Sequence, residues 1–278
     1  MNKKKRFLNQ PIWYVIIVII LFSSNNAEID HDGNLHLGID VDSGIKSANN
    51  LPKIQIDGNS QLDDFENKTG LGTLEIPYII ENYTIDAGNI GSAVSIQNTD
   101  RYLVLYNLTV TNSAGYGTGS GIYFNNVSNV QIEICQTPGN YHGLYFDSCN
   151  NISITHNNVS DCTYGVRLDD SHNATLTDNN MTGCGLYLEG DLDSQVSHTS
   201  SNNVVNNRPL YWYVNETDLD AINFTSAGQV VLVNCNDTII SDLNVSAATI
   251  GLHLLSTNDC VISNVTSNDG VYGFHFDS

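Results

Sequence analysis

The feature that most constrains this chain is a repeat of about 22 residues. Four segments align from their glycines: Gly121-Ile-Tyr-Phe-Asn, Gly143-Leu-Tyr-Phe-Asp, Gly165-Val-Arg-Leu-Asp and Gly185-Leu-Tyr-Leu-Glu. These glycines lie 22, 22 and 20 residues apart, and the pattern returns at Gly251 and Gly273. One such unit cannot bury its apolar face alone, so the repeat predicts a solenoid of stacked units.

Each repeat contains short runs in which apolar and polar residues alternate. Between Gly143 and Tyr164, the apolar residues Leu144, Phe146, Ile152 and Ile154 alternate with polar ones, and asparagine-rich turns separate the runs. Alternation of this kind predicts short strands joined by tight turns. We therefore expect an all-β, single-stranded right-handed parallel β-helix with about 22 residues per coil and stacked Asn side chains at the corners. A β-sandwich needs no such fixed period, and a propeller blade is about twice as long.

The chain ends suggest a secreted protein and an incomplete one. Four basic residues lie within the first ten, an apolar run follows over residues 12–22, and we interpret residues 1–27 as a signal peptide. An uncleaved membrane anchor is the alternative. We expect a lead-in and N-terminal cap with the first coil over 28–92, and β-helix repeats over 93–278. The sequence stops five residues into a coil, which predicts a fragment of a longer protein.

Charge limits the partners. The net charge is −20, and the predicted signal peptide holds four of the ten basic residues. So acidic a chain lacks the basic surface that DNA or RNA binding needs. It is compatible with cations, neutral glycans and other surface proteins. Many Asn-X-Ser/Thr sequons, among them Asn67, Asn82 and Asn107, agree with a secreted or cell-surface glycoprotein.

Two of the cysteines stand out among Cys135, Cys149, Cys162, Cys184, Cys235 and Cys260. Cys162 follows Gly143 by 19 residues and Cys184 follows Gly165 by 19 residues, so the two cysteines occupy the same position in adjacent coils. A disulfide between them is within geometric reach. The alternative is that both simply pack as small buried side chains. No Cys-X-X-Cys motif indicates a zinc or thioredoxin-like site.

These residues resemble a known family. The segment Gly143-Leu-Tyr-Phe-Asp-Ser-Cys-Asn-Asn-Ile-Ser-Ile-Thr-His-Asn-Asn-Val159 and its repeats are similar to NosD-type secreted β-helix proteins, also described as carbohydrate-binding and sugar-hydrolysis (CASH) domains. The segment Gly72-Thr-Leu-Glu-Ile-Pro-Tyr-Ile-Ile-Glu-Asn82 resembles the lead-in of archaeal surface members. The resemblance covers residues 54–278. It implies the fold rather than one activity, because the family includes copper-maturation proteins, alginate epimerases and surface proteins.

Two outward columns follow from the repeat. The position two residues after each repeat glycine, or after Gln229 in the coil where glutamine takes its place, holds Tyr123, Tyr145, Arg167, Tyr187, Val231, His253 and His275. The position four residues after it holds Asn125, Asp147, Asp169, Glu189, Val233, Leu255 and Asp277. Neighbours in a column should lie about 5 Å apart. Rings beside polar acceptors suit a linear sugar polymer, so Tyr123, Tyr145, Arg167 and Tyr187 are the predicted substrate-binding residues. The alternative is a merely soluble outer sheet.

Catalysis and metal binding have weaker support. Asp147, Asp169 and Glu189 have a spacing compatible with glycoside hydrolysis, so a hydrolase, lyase or epimerase is the alternative function. Stacked carboxylates with turn carbonyls could hold Ca²⁺, but no complete metal-ligand set is present and we predict no cofactor.

The favoured interpretation is a structural or adhesive module for a carbohydrate or another cell-surface polymer. We expect membrane contact only through the N-terminal segment, if it is uncleaved.

Overall fold

The computed structural model describes residues 49–113 and 119–277, together with strands β1 (Ala27–Ile29) and β2 (Leu35–Leu37). The chain divides into two compact units, residues 1–47 and 48–278. In the first unit, β1 and β2 pair antiparallel. Apart from Ala27, the predicted signal peptide lies outside the described residues. No helix within the described ranges is both long and apolar enough to cross a membrane.

The second unit begins with a solenoid that extends to residue 205, here called the first solenoid. Its short helices are α1 (Asn59–Asp63) and α2 (Leu192–Val196). Its strands are, in chain order, β3 (Asn49–Leu51), β4 (Ile54–Asp57), β5 (Tyr78–Glu81), β6 (Tyr83–Asp86), β7 (Val94–Thr99), β8 (Leu103–Tyr106), β9 (Thr109–Thr111), β10 (Ser120–Glu133), β11 (Gln136–Pro138), β12 (His142–Asp147), β13 (Asn150–Thr155), β14 (Asn158–Ser160), β15 (Tyr164–Asp169), β16 (His172–Thr177), β17 (Asn180–Thr182), β18 (Leu186–Glu189), β19 (Thr199–Ser201) and β20 (Val204–Val205).

These strands form three parallel sheets that run along the solenoid. The front sheet comprises β4, β7, β10, β12, β15 and β18. The second sheet comprises β5, β8, β10, β13, β16 and β19, and the third comprises β3, β6, β9, β11, β14, β17 and β20. Strand β10 belongs to two sheets and turns the corner at Asn126, where φ is 52°. Paired residues such as Tyr123 and Tyr145 are 22 positions apart, which confirms the predicted parallel β-helix.

Stacked side chains fill the interior of the first solenoid. Phe124 and Phe146 are fully buried and stack with ring centroids 5.5 Å apart. A buried asparagine ladder runs beside them: Asn157 Nδ2 donates to Asn179 Oδ1 at 3.0 Å, and Asn179 Nδ2 donates to Asn203 Oδ1 at 2.9 Å. Because buried polar groups must be paired, this ladder fixes the register of successive coils. The stacked asparagines confirm the prediction from the turns.

The N-terminal end of the first solenoid is covered by α1. Leu62 of this helix is fully buried, so it closes the apolar core. Asp63 accepts hydrogen bonds from Tyr78 Oη at 2.9 Å and from Arg101 Nε and Nη2 at 2.9 and 2.7 Å. These contacts attach the helix to the coils behind it and hold the pKa of Asp63 below its usual range, chiefly through the Arg101 hydrogen bond.

The chain reverses direction at Asn206 and Asn207, which the repeat did not predict. Both residues have positive φ, 53° and 59°, and the following strand β21 (Arg208–Val214) pairs antiparallel with β20. Two consecutive left-handed residues make the tight hairpin turn that Asn tolerates. The β-helix repeats expected over residues 93–278 therefore do not form one continuous stack. A second solenoid begins after the reversal.

The second solenoid spans residues 208–277. A 3₁₀ helix, Ala221–Phe224, follows β21. The remaining strands are β22 (Gln229–Val233), β23 (Ile239–Asn244), β24 (Ile250–Leu255), β25 (Val261–Thr266) and β26 (Tyr272–Asp277). Strands β21, β22, β24 and β26 pair in parallel, as do β23 and β25. A separate apolar core lies between them, with Phe224, Leu232 and Leu252 fully buried.

The second solenoid covers the open end of the first. Strand β18 is the last of the front sheet, and side chains occupy its free edge. Leu186 N donates to Gln229 Oε1 at 2.9 Å, and Gln229 Nε2 donates to Leu186 O at 2.6 Å. Thr249 Oγ1 accepts from Gly185 N at 2.8 Å and donates to Gly185 O at 3.2 Å. At Gly185 and Leu186, the backbone edge that could pair with another chain is thereby satisfied within this one.

Candidate functional site

The predicted ring column exists on the front sheet. Tyr123, Tyr145, Arg167 and Tyr187 are directly paired neighbours on β10, β12, β15 and β18. All four side chains are half-buried. The rings of Tyr123 and Tyr145 lie 5.1 Å apart at their centroids and are tilted by 42°. The sequence therefore placed these four residues together correctly; their binding role stays a prediction.

The predicted carboxylate column runs alongside. Asn125, Asp147, Asp169 and Glu189 are paired neighbours on the same four strands. Their exposure differs strongly, since the side chain of Glu189 is 55% exposed and that of Asp169 only 13%. The front sheet consequently presents one row of rings with a guanidinium and, beside it, one row of polar oxygens.

Arg167 joins the two columns through its ion pairs. Its Nη2 lies 2.6 Å from Asp169 Oδ2 and 2.9 Å from Glu189 Oε2. Its Nε also donates to Asp169 at 2.9 Å. Two carboxylates thus compensate one guanidinium, which is mostly buried at 21% exposure. The charge of Arg167 is therefore not free to bind an anionic ligand.

Aromatic rings surround the same guanidinium. Its central carbon lies 4.9 Å from the ring centroid of Tyr145, 5.4 Å from that of Tyr164 and 5.1 Å from that of Tyr187. Such cation–π contacts stabilise a partly desolvated arginine. They hold the three rings in fixed positions around Arg167, so the column is a preorganised surface.

The tyrosine hydroxyls face the carboxylates. Tyr123 Oη donates to Asp147 Oδ2 at 3.3 Å, and Tyr145 Oη donates to Asp169 Oδ2 at 2.9 Å. Burial, followed by the charge of Asp147, raises the pKa of Tyr123 to about 12. Burial and then Asp169 raise the pKa of Tyr145 as well. Both phenols therefore remain protonated donors at neutral pH.

The three carboxylates are each held by neighbouring side chains. Asp147 accepts from Tyr123 and from Ser148 Oγ at 2.9 Å, while Asp169 and Glu189 both pair with Arg167. Glycoside hydrolysis uses two carboxyl groups that flank the scissile bond. Catalysis by these three residues stays a prediction.

His142 belongs to the site but was not selected from the sequence. It is 4% exposed, with Nδ1 3.3 Å from Ser120 Oγ and Nε2 3.5 Å from Arg167 Nη1. Its ring centroid lies 4.7 Å from that of Tyr145. Burial, and then the Arg167 charge, lower the pKa of His142 to about 3. The sequence could have indicated His142 by its position directly before Gly143, because β12 begins one residue before the glycine.

A groove of about 530 Å³ adjoins this face at the corner before the front sheet. Its lining residues are Ser113, Gly139, Asn140, Tyr141, Asp161, Thr163, Tyr164 and Val271. The rings of Tyr141 and Tyr164 meet edge to face at 5.6 Å. Tyr164 also shares a hydrogen bond with Tyr272, and burial followed by Tyr272 raises its pKa to about 12. The groove combines ring surface, amide, hydroxyl and carboxylate groups.

The prediction that both columns face outward was wrong for the residues that lie in the second solenoid. Val231 and His253 are fully buried, as are Val233 and Leu255 of the second column. The reason is that this face of the second solenoid lies against the first: the rings of His253 and Tyr187 stack 5.5 Å apart. A sequence period cannot show that an outward face is covered by another part of the chain.

The histidines at this junction do not complete a metal site. The ring centroids of His253 and His275 lie 5.0 Å apart. Neither nitrogen of His253, nor Nδ1 of His275, has a hydrogen-bond partner within the described part of the chain. Over residues 49–113 and 119–277, no three His, Cys, Asp or Glu side chains come together as a metal-ligand group. Two imidazoles alone are an incomplete ligand set.

Comparison with solved structures finds distant likenesses. A mutant of the periplasmic alginate epimerase AlgG shares 15% identity over 68% of this chain, with a TM-score of 0.35. The catalytic unit of a thermostable GH87 α-1,3-glucanase from Streptomyces thermodiastaticus shares 13% identity over 72%, with a TM-score of 0.29. The chain spans 45% and 49% of the length of those two chains. Comparison with curated proteins gives no match.

A family model matches a long central segment. Residues 76–209 match the family described as periplasmic copper-binding protein (NosD). Copper does not fit the described residues, because the paired imidazoles of His253 and His275 lack further ligands and lie beyond the matched segment. The parallel coils of this segment agree with the resemblance drawn from Gly143 to Val159. Residues 76–209 therefore form a parallel β-helix that is similar to the NosD family.

Proposed function

We propose that this chain is a non-catalytic, secreted or cell-surface β-helix module that binds a carbohydrate along its front sheet. The single observation that carries the proposal is the row formed by Tyr123, Tyr145, Arg167 and Tyr187, in register beside a row of polar oxygens. Rings offer apolar faces and edges to a sugar, and neighbouring acceptors bind its hydroxyls. The groove at Tyr141 extends this surface around the corner.

The ion pairs suggest an uncharged glycan. The guanidinium of Arg167 is already compensated by Asp169 and Glu189, so it offers no free cation for a uronate or sulfate group. The remaining acceptors on this face are carboxylates, and the chain carries a net charge of −20. Repulsion would therefore oppose an anionic polymer, whereas hydroxyl groups of a neutral sugar could donate to Asp147 and Glu189.

Location outside the cytoplasm is part of the proposal. The description of the matching family names a periplasmic protein, and the acidic composition suits an exposed, soluble surface. The ligand is then a polymer of the cell surface or its surroundings. The arrangement of the carboxylates favours binding over the alternative of a polysaccharide-processing enzyme.

Affinity electrophoresis of the full chain in gels with neutral, amino-sugar or uronate polysaccharides tests the proposal. We expect retardation by at least one neutral polymer and about fivefold weaker retention after Tyr123→Ala or Tyr141→Ala, since one lost ring contact is worth about 1 kcal/mol. Tyr106→Ala is the matched control, because this half-buried tyrosine lies on the second sheet.

Two outcomes would contradict the proposal. Equal retention of wild type and Tyr123→Ala and Tyr141→Ala variants would show that the front sheet is not the binding surface. New reducing or unsaturated sugar ends after incubation with a polysaccharide would identify an enzyme instead of a binding module.

A further inference from the structure

Two buried cysteines stack directly on each other at one corner of the first solenoid. Cys162 and Cys184 follow the paired residues Ser160 and Thr182 of β14 and β17 by two positions each. They are 4% and 1% exposed. Their thiols lie against each other without a covalent bond, and Cys184 Sγ donates to Val159 O at 3.5 Å. Adjacent strands lie about 4.8 Å apart, within the range of Cα separations that a disulfide spans.

Hydrogen bonding does not explain why cysteine, rather than asparagine, occupies this corner. In the preceding coil the position is held by Asn140, whose Nδ2 donates to Val110 O at 3.0 Å and Pro138 O at 3.2 Å. Cys162 Sγ takes over the same pattern, pointing to Thr137 O at 3.1 Å and Ser160 O at 3.3 Å. A thiol is a weaker donor than an amide. Asparagine would therefore serve these carbonyls better than cysteine does.

The other cysteines differ from this pair. All six cysteines lie in described residues. The remaining four have a residue other than cysteine at the neighbouring position one coil away. Cys135 N donates to Asn157, Cys149 N to Ser171 and Cys235 N to Thr257, each 22 residues ahead. Cys260 interacts with Thr238, 22 residues behind. Stacking of one thiol on another thus occurs at a single corner among the six cysteines.

We propose that Cys162 and Cys184 become oxidised to a disulfide that joins two adjacent coils when the protein folds outside the cytoplasm. The oxidant is a small-molecule or protein disulfide. The thiolate of Cys162 attacks one sulfur of that disulfide and releases one thiolate. The thiolate of Cys184 then attacks the Cys162 sulfur of the mixed disulfide and releases the second. The two cysteines lose two protons and two electrons, and the electrons reduce the oxidant to two thiols.

The exchange takes place before this corner of the solenoid is complete. The thiolate is the nucleophile in such exchange, and the oxidant must be able to reach it. Both sulfurs are buried in the finished fold, so the disulfide forms while the coils at this corner are still closing.

The disulfide would act on the candidate binding face. Cys162 lies five residues before Arg167, and Cys184 lies three residues before Tyr187. The bond would therefore join the two coils that carry these side chains and fix their spacing at the end of the front sheet. This role is independent of whether the face binds a sugar.

Mass spectrometry of the full chain tests the proposal. Reduced and denatured protein is refolded in a buffer of oxidised and reduced glutathione, denatured again, alkylated with iodoacetamide and digested. We expect a peptide pair linked through Cys162 and Cys184, lighter than the two free peptides by two hydrogen atoms. Cys135, Cys149, Cys235 and Cys260 should be alkylated.

Stability gives an independent readout. The oxidised protein should unfold at a higher denaturant concentration than the reduced one, and Cys184→Ser should abolish this difference. Cys149→Ser is the matched control and should retain both the linked peptides and the difference. Complete alkylation of Cys162 and Cys184, capture of either by glutathione, or pairing with another cysteine would overturn the proposal.

Discussion

Replacing His253 by leucine should make the protein more stable and less sensitive to acid. The side chain of His253 is completely buried, with 0% exposure. Its two ring nitrogens have no hydrogen-bond partner within residues 49–113 and 119–277. A buried polar group without a partner costs about 1–3 kcal/mol. Leucine has a similar volume and no polar atom, but it loses the ring contact with Tyr187. We expect His253→Leu to raise the free energy of unfolding by about 1 kcal/mol at pH 7.5.

The pH dependence follows from where the proton binds. Burial, and then His275, lower the pKa of His253 from 6.5 to about 3 in the folded protein. The unfolded chain keeps the ordinary value, so below pH 6.5 it binds a proton that the folded state excludes. The stabilising contribution is complete above this pH and is lost as the pH falls towards 3. At pH 5 the loss is about 2 kcal/mol for this one residue.

Urea unfolding at pH 7.5 and pH 5.0, followed by tyrosine and tryptophan fluorescence, measures both effects. The drop in unfolding free energy between the two pH values should be about 2 kcal/mol smaller in His253→Leu than in wild type. Ile239→Leu is the control, because its side chain is 48% exposed and carries no ionisable group, and it should leave the drop unchanged. An unchanged drop in His253→Leu, or clear destabilisation at pH 7.5, would refute the assignment of His253 as a neutral imidazole without a partner.

Three further substitutions test the contacts that hold the structure together. Arg167→Met leaves the mostly buried Asp169 without its cation and should lower the free energy of unfolding by about 2–4 kcal/mol in urea; no change would mean that the ion pair is not formed. Asn179→Ala breaks the buried amide ladder and should cost about 2–4 kcal/mol, whereas a cost below about 0.5 kcal/mol would show that the ladder groups find other partners. Gln229→Ala frees the backbone of Leu186 and should accelerate its amide hydrogen exchange at least tenfold, and an unchanged rate would contradict the described edge.

The coil period allowed much of the front sheet to be predicted. In a parallel stack, residues one period apart must be neighbours, so the placement of Tyr123, Tyr145, Arg167 and Tyr187 followed from counting alone. Their mutual contacts did not follow. Whether Arg167 reaches a ligand or the adjacent Asp169 depends on side-chain conformation, which the period does not contain.

The reversal of the chain was hidden by the composition of the turns. Paired asparagines occur at several corners, for example Asn150-Asn151 and Asn157-Asn158, where the chain continues in the same direction. At Asn206-Asn207 both members adopt positive φ, while in the pair at 150 only Asn151 does. One extra left-handed residue converts a corner into a hairpin. That choice depends on the contacts of the second solenoid with the first.

The side-chain plug formed by Gln229 and Thr249 has a consequence for how such a molecule could change its length. Because the plug binds backbone groups, whole coils could be gained or lost behind the last one, provided that the last coil keeps the Tyr187 ring that stacks on His253. Each insertion would lengthen the outer surface by about 4.8 Å. The length of the outer sheets could thus be adjusted in fixed increments while the end of the first solenoid stays covered.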